Sequence, residues 1–280
     1  MEIITAVEAM KTGSREWRSK GKTIVLVPTM GCFHEGHLSL IREGRRQGDI
    51  LVVSLFVNPT QFAPSEDFDA YPRDFERDRR LAEQIGVDVI FCPDNNEMYP
   101  SGYKTYIEVS ELGRKLCGVS RPTFFRGVTT VVLKLFTIVQ PHVALFGWKD
   151  AQQFIIIQRM VEDLNLDVQL IGMPIVREPD GLAMSSRNAY LNPQERKEAT
   201  VLYSALQKAQ SLIGEGVTEA SQLRREMETI VRSASSARID YIDIVSLHDL
   251  QRLDHVKQGE TLIALAVFIG NTRLIDNIRV

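Results

Sequence analysis

The sequence predicts an α/β protein: a doubly wound parallel-sheet (Rossmann-like) N-terminal domain over residues 1–175, then a smaller α+β domain over 176–280. Three observations predict it. Short, unbroken apolar runs recur, each closed by turn residues, as in strands buried on both faces. Charged or amphipathic helical segments alternate with these runs, so the strands repeat as βαβ units. After Val176 the order changes to helices followed by strands.

The elements follow in order. Thr23-Ile24-Val25-Leu26-Val27 reads as a buried strand, and Leu38-Ser39-Leu40-Ile41-Arg42-Glu43 as the helix after it. Ile50 to Val57 is the next strand, stopped by Asn58-Pro59. The charged segment from Arg73 to Ile85 predicts a helix with Gly86 as its C-cap. Val87 to Phe91 is a strand that Pro93 ends. Thr129 to Val139 predicts an apolar helix that stops before Pro141. His142 to Gly147 is another strand, Asp150 can cap a helix reaching about Leu164, and Val168 to Ile171 opens one more strand. Arg177-Glu178-Pro179-Asp180-Gly181 is a turn cluster. Amphipathic helices are expected around Pro193–Ile213 and Ser221–Ser233, then strand-like segments Ile239–Val245 and Thr261–Ile269.

Composition excludes several functions. The 280 residues carry 33 basic and 36 acidic side chains, a net charge of −3, so no global basic surface awaits nucleic acid. No apolar run approaches the roughly 20 residues of a membrane span, and Met1 to Thr5 lacks the pattern of a signal peptide. Cys32, Cys92 and Cys117 are odd in number and far apart, which suggests a reducing cytoplasm and no disulfide framework.

Polar clusters fall at the carboxyl ends of the predicted strands, where open parallel sheets bind ligands. His34 and His37 sit between a strand and a helix, flanked by Gly31 and Gly36. Such a junction offers peptide N–H groups and a positive helix end to phosphate. Asn58-Pro59-Thr60-Gln61-Phe62 follows the second strand, and Gly147-Trp148-Lys149-Asp150 follows a later one, with Gln152 and Gln153 entering the next helix. Met184-Ser185-Ser186-Arg187 lies beyond the turn cluster. Each has a plainer reading alone. Paired histidines also bind zinc, although His142, His248 and His255 offer no evident third ligand. Lys149-Asp150 could be a solvated helix cap and Ser185 to Arg187 a loop. Neither a Gly-x-x-x-x-Gly-Lys-Ser/Thr phosphate loop nor a Gly-x-Ser-x-Gly elbow is present.

His34-Glu35-Gly36-His37 has the His-x-Gly-His form of the nucleotidyltransferase superfamily, and Met184 to Arg187 resembles its second signature loop. Over essentially its whole length the chain resembles the pantoate–β-alanine ligase (pantothenate synthetase) family. The carrying segments are Pro28 to His37, Phe56 to Phe62, Tyr71-Pro72-Arg73, Arg126-Gly127-Val128 with Thr130-Val131-Val132, Lys134-Leu135-Phe136, Ile138 to Pro141, Phe146-Gly147 with Lys149-Asp150, and Val176 to Asn188. The resemblance implies ATP-dependent condensation of (R)-pantoate with β-alanine through a pantoyl-adenylate, releasing diphosphate and then AMP. It implies an ATP site of Met30, Gly31, Cys32, Phe33, His34, Glu35, Gly36, His37, Gly147, Trp148, Lys149, Asp150, Val176, Met184, Ser185, Ser186 and Arg187. His37 would be the proton donor, acting with His34, Lys149 and Arg187. Gln61 and Gln153 would hold pantoate, with Gln61 also facing β-alanine. Asp78 matches an acidic position associated with Mg²⁺. The resemblance further implies Mg²⁺ with ATP, no tightly bound organic cofactor, and a homodimer. Charge and hydropathy lead us to expect no nucleic-acid or membrane partner, and the signature loop at the domain boundary leads us to expect a C-terminal domain that closes over ATP.

The chemistry agrees with these assignments. Nucleotidyl transfer builds negative charge that imidazoles, lysine and arginine stabilise, and amides can both donate to and accept from a hydroxylated acid. One rival is a nucleotidyltransferase for a phosphorylated acceptor, which Gln61 and Gln153 disfavour; the other is a binding or regulatory protein that has lost catalysis, against which His34, His37, Lys149 and Arg187 argue. The sequence departs from the family at Phe33, Thr137 and His142, at Phe124, where His is common, and at Trp148, where Glu or Gln is common.

Overall fold

The structure, a computed structural model, describes residues 1–62, 68 and 70–280. The chain runs β1 (Glu2–Ile4), α1 (Val7–Ser19), β2 (Ile24–Thr29), α2 (Glu35–Gln47), β3 (Ile50–Leu55), α3 (Phe75–Ile85), β4 (Val89–Phe91), and two short helices, α4 (Asn95–Met98) and α5 (Cys117–Ser120). It continues with α6 (Phe124–Val139), β5 (Val143–Gly147), α7 (Ala151–Asp163) and β6 (Gln169–Met173). The last part holds α8 (Pro193–Glu198), α9 (Val201–Gly214), α10 (Ala220–Val231), β7 (Ala237–Ser246), β8 (Thr261–Ile269) and β9 (Thr272–Arg279). Six strands make one parallel sheet in the order β1-β4-β3-β2-β5-β6, and three make an antiparallel sheet, β7-β8-β9. The α/β class with a smaller α+β part is therefore as the sequence predicts.

The chain divides into two compact units. One comprises Met1–Gly113, Arg121–Trp148 and Ile156–Pro174, and the other Arg114–Ser120, Lys149–Ile155 and Ile175–Val280. In the first, Val25 and Val27 of β2 and Leu51 and Val53 of β3 form a core with Leu40 and Ile41 of α2 and Ala82 of α3. Strand order turns around at β2, with β3 on one side and β5 on the other. The carboxyl ends of β2 and β5 thus form the switch point where such sheets bind ligands. In the second unit, Leu202, Leu206 and Leu223 of the helices bury against Ile244, Ile263 and Leu265 of the small sheet.

Helix ends follow local chemistry. Asp74 caps α3 by accepting from the Arg77 N–H, and Gly86 ends it in the left-handed conformation, φ 87°. The helix expected to begin at Thr129 begins at Phe124. Arg126-Gly127 hides the apolar pattern there because Gly127 is chosen for packing: a Cβ on it would clash with the Thr60 carbonyl and the Gln61 nitrogen. The helix expected over Pro193–Ile213 is two, α8 and α9, joined through Ala199 and Thr200. These residues keep helical dihedrals, but the ladder tightens to a three-residue bond from Leu202 N to Ala199 O. No helix among the described residues is long and apolar enough to cross a membrane.

Gly127→Ala separates two opposing effects. In an exposed helix the change would stabilise by about 1 kcal/mol. Here α6 meets the 59–61 turn backbone to backbone, so overpacking of about 1–3 kcal/mol should win. The urea midpoint should fall with an unchanged m-value; an equal or higher midpoint would contradict this packing.

Candidate active site

Between β2 and α2 the chain must reverse direction in a few residues. It does so with two consecutive left-handed residues, Gly31 (φ 81°) and Cys32 (φ 51°). Glycine adopts this freely; for Cys32 it costs about 1–2 kcal/mol. Asp78, in the first turn of α3, offsets that strain. Its Oδ2 accepts from the Cys32 N–H at 2.6 Å and its Oδ1 from the Phe33 N–H at 2.7 Å. Arg77 Nη1 donates to the Phe33 carbonyl at 2.8 Å. Burial pushes the Asp78 carboxyl up from its ordinary range, against the pull of those two N–H groups.

His34 then starts α2 as its N-cap. Its Nδ1 accepts from Gly36 N–H at 3.1 Å, and His37 Nδ1 accepts from His34 N–H at 3.4 Å, a reciprocal capping box built from two imidazoles. The rings lie 4.1 Å apart between centroids. A neutral imidazole whose Nδ1 accepts carries its proton on Nε2. Both histidines therefore have a defined donor edge. Phe33, 1% exposed, sets its ring 5.8 Å from that of His37 and so packs behind it.

The expectation that this junction offers free peptide N–H groups needs correction. Gly31 N–H bonds Thr29 Oγ1 at 3.2 Å, Cys32 and Phe33 bond Asp78, and His34 and Gly36 serve the capping box. The left-handed turn brings these groups onto internal acceptors, and the imidazole edges add side-chain donors to the motif.

Gln61 ends a short turn after β3. Asn58, 1% exposed, organises it: its Nδ2 donates to Gly127 O at 3.1 Å and to Gln61 Oε1 at 3.2 Å. Its Oδ1 accepts from Tyr99 OH at 2.9 Å and Thr60 Oγ1 at 2.9 Å. Burial pushes the Tyr99 phenol up to about 12, so it remains a donor. With its oxygen taken by Asn58, Gln61 turns Nε2 toward Met30 Sδ, 2.8 Å away. Arg121 Nη2 donates to the Gln61 carbonyl at 3.1 Å and its guanidinium lies 3.8 Å from the Phe124 ring centroid. Phe124 thus supports a cation beside the turn. The first unit brings Met30, His34, His37, Gln61 and Asp78 together and also holds Gly147 and Trp148 at the end of β5.

The second unit holds the other expected residues. Lys149 and Asp150 lie in a tight turn before α7, with Lys149 Nζ 3.9 Å from Asp150 Oδ2. Asn277 of β9 donates to the Lys149 carbonyl at 3.0 Å. Its neighbour Asp276, nearly without exposed surface, takes a two-pronged contact from Arg177, 2.6 and 3.0 Å. Burial pushes the Asp276 carboxyl up, against the pull of Arg177 and Lys149. Arg177 also stacks 4.2 Å from the Tyr203 ring centroid and donates to the Gly181 carbonyl at 3.0 Å. Gly181, φ 94°, has no room for a Cβ against Tyr203. This turn pairs Met184 N–H with the Val176 carbonyl at 3.0 Å, and Ser185 Oγ accepts from Arg187 N–H at 3.3 Å, which forms the Met184–Arg187 loop. Of the adjacent glutamines, Gln152 is structural: it is buried, accepts from Cys117 N–H and donates to the Lys115 carbonyl. Gln153 is half-buried.

Sequence reasoning missed the supports. Asn58 stood inside a quoted motif, but its role needs the Gly127 contact. Arg177 also stood inside a quoted segment, but its role needs the Asp276 contact. Arg121, Asp276 and Asn277 carry no local signal.

The profile of the pantoate-beta-alanine ligase family matches residues 2–279. A pantothenate synthetase of Geobacter sulfurreducens is 56% identical over 277 residues, covering 99% of this chain and 98% of that one. One of Acetivibrio thermocellus is 53% identical over 278 residues, 99% of each chain. The crystal structure of a Thermus thermophilus pantothenate synthetase, 41% identical, has a TM-score of 0.94 and covers 100% of this chain and 99% of its own. A Francisella tularensis pantoate-beta-alanine ligase, complexed with beta-gamma ATP and beta-alanine, is 33% identical with a TM-score of 0.82, over 100% of this chain and 97% of its own.

Asp276→Asn should leave Arg177 short of its charged partner. Breaking such a buried pair from one side costs about 3–5 kcal/mol, read from chemical denaturation. A loss below about 1 kcal/mol, as for exposed pairs, would contradict the geometry.

Proposed function

The chain belongs to the pantoate–β-alanine ligase family, and on that premise we propose how its residues divide the reaction. The enzyme condenses pantoate with β-alanine at the expense of ATP. A pantoate carboxylate oxygen attacks the α-phosphorus, the bond to the β-phosphate oxygen breaks, and diphosphate leaves. The β-alanine amine then attacks the acyl carbon, the bond to the AMP oxygen breaks, and a proton is released with pantothenate and AMP.

His34 and His37 donate from Nε2 to phosphate oxygens as charge develops, and His37 serves the departing diphosphate as proton donor. The single observation that carries this reading is the imidazole capping box at the carboxyl end of β2. Lys149 and Arg187 supply fixed positive charge to the nucleotide. Met30 to His37, Gly147 to Asp150, Val176 and Met184 to Arg187 make up the ATP site. Gln61 and Gln153 hold pantoate through its hydroxyl and carboxylate groups, and Gln61 also meets β-alanine. The Gln61 amide, already oriented by Asn58, supports that role. Phe56 and Phe62 help exclude water from the mixed anhydride. Residues 1–175 serve as the substrate-binding domain, and residues 176–280 close over ATP; scattering profiles that are identical with and without ATP would contradict closure. Mg²⁺ enters with ATP as part of the substrate, and the working form is a cytoplasmic homodimer.

Two outcomes test the reading. Labelled diphosphate should exchange into ATP only when pantoate is present, and AMP should appear on adding β-alanine; no pantoate-dependent exchange removes the adenylation step. His37→Ala should slow exchange about 100-fold or more, the loss typical of a transition-state donor. The lost half of the capping box should lower stability by only about 1 kcal/mol. An unchanged rate would exclude the role given to His37.

A further inference from the structure

Asp78 has no task in the reaction above. Its carboxylate is 1% exposed and takes short bonds from two consecutive peptides, Cys32 N–H to Oδ2 at 2.6 Å and Phe33 N–H to Oδ1 at 2.7 Å. Arg77 holds the same segment from its carbonyl side, 2.8 Å from Phe33 O. The segment so held contains both left-handed residues and leads directly into His34. A Cβ on Gly31 would come within 3.0 Å of Asp78 Oδ2, so the glycine and the carboxylate are fitted to each other. Mg²⁺ demands near-octahedral oxygen ligands and keeps several waters. A carboxylate with almost no exposed surface, whose oxygens each serve a peptide N–H, does not fit that demand. A cation there would have to displace an N–H or share its oxygen. Among the described residues no three His, Cys, Asp or Glu side chains are grouped to hold a metal ion.

We infer that Asp78 is a positioning residue for adenylation and not a Mg²⁺ ligand: by fixing the Cys32 and Phe33 peptides, it sets where His34 and His37 face the α-phosphate. Only the kinetic half of this inference rests on the ligase reading. The two peptide N–H groups are bound to protein and contribute no donor to phosphate, so Cys32 and Phe33 act on the nucleotide through the shape they give the turn.

Asp78→Asn keeps the shape but replaces one acceptor by an NH₂, which then opposes a peptide N–H. Three readouts are expected. Pantoate-dependent diphosphate exchange falls about 100-fold, as for a misplacement of reacting groups by about 1 Å, and the fall is in kcat. The Mg²⁺ concentration for half-maximal exchange stays unchanged. Hydrogen exchange at the Cys32 and Phe33 amides of the ligand-free enzyme accelerates. In the unsubstituted enzyme, Mg²⁺ alone should leave the NMR signals of those two amides unmoved. Arg77→Ala, which keeps the carboxylate, should change kcat and amide exchange in the same direction by a smaller factor. Should Asp78→Asn not fold, Arg77→Ala and the Mg²⁺ titration decide the matter. A raised Mg²⁺ requirement in Asp78→Asn with rescue by excess Mg²⁺ or Mn²⁺ would overturn the inference. So would amides that shift on adding Mg²⁺ alone. An unsubstituted enzyme with no pantoate-dependent exchange would remove the ligase reading, while the amide measurements would still decide the role of Asp78.

Discussion

Two peptide N–H groups bonded to one buried carboxylate hold the left-handed turn between β2 and α2, and the candidate site depends on them. The turn places a non-glycine residue, Cys32, at φ 51°. Left unsupported, that conformation would relax, and α2 would begin elsewhere. Asp78 prevents this with two charge-assisted bonds of 2.6 and 2.7 Å, stronger than bonds between neutral groups. The dependence is mutual, because a carboxylate buried without such donors carries a desolvation penalty of several kcal/mol. From this fixed start, His34 and His37 cap the helix with their Nδ1 atoms, which leaves Nε2–H as the donor edge of each ring. Strand order adds the larger frame: β2 lies at the switch point of the sheet, where loops from neighbouring strands diverge and leave room for a ligand.

The same design recurs in smaller form elsewhere. Asn58 spends all its polar capacity on the protein, and so it fixes which end of the Gln61 amide is occupied and which faces Met30. In the second unit, β9 supplies Asp276 to Arg177 and Asn277 to the Lys149 backbone. The residues proposed to meet substrate are thus oriented by others, and each support is a buried polar group with its partners in place. Such groups leave little freedom, because a support that loses its partner is costly to keep buried.

The strands of the parallel sheet were legible because burial on both faces makes them continuous apolar runs. The histidines, Gln61, Lys149 and the Met184–Arg187 loop were legible because their chemistry is local and their motifs are short. Other features were hidden for physical reasons. β9 buries Asp276 and Asn277 where a strand pattern would call for apolar residues, so it reads as polar. The start of α6 carries Gly127, a poor helix former whose value lies in a contact with Thr60 and Gln61 far away in sequence. The β2–α2 junction looked like a set of free N–H donors, because nothing local reveals that Asp78 arrives from α3 to claim two of them. Each of these three misses involves a long-range polar or steric contact, which no window along the chain contains.

The central claim is that these groups act on the α-phosphate, so that the acyl group is activated as an adenylate. It is tested most directly by supplying pantoate labelled with ¹⁸O in its carboxylate, together with ATP and β-alanine, and locating the label by mass spectrometry. Attack by that carboxylate on the α-phosphorus, followed by cleavage at the acyl carbon, transfers one ¹⁸O atom to AMP and none to diphosphate. Label in diphosphate or inorganic phosphate, or AMP without label, would contradict the account.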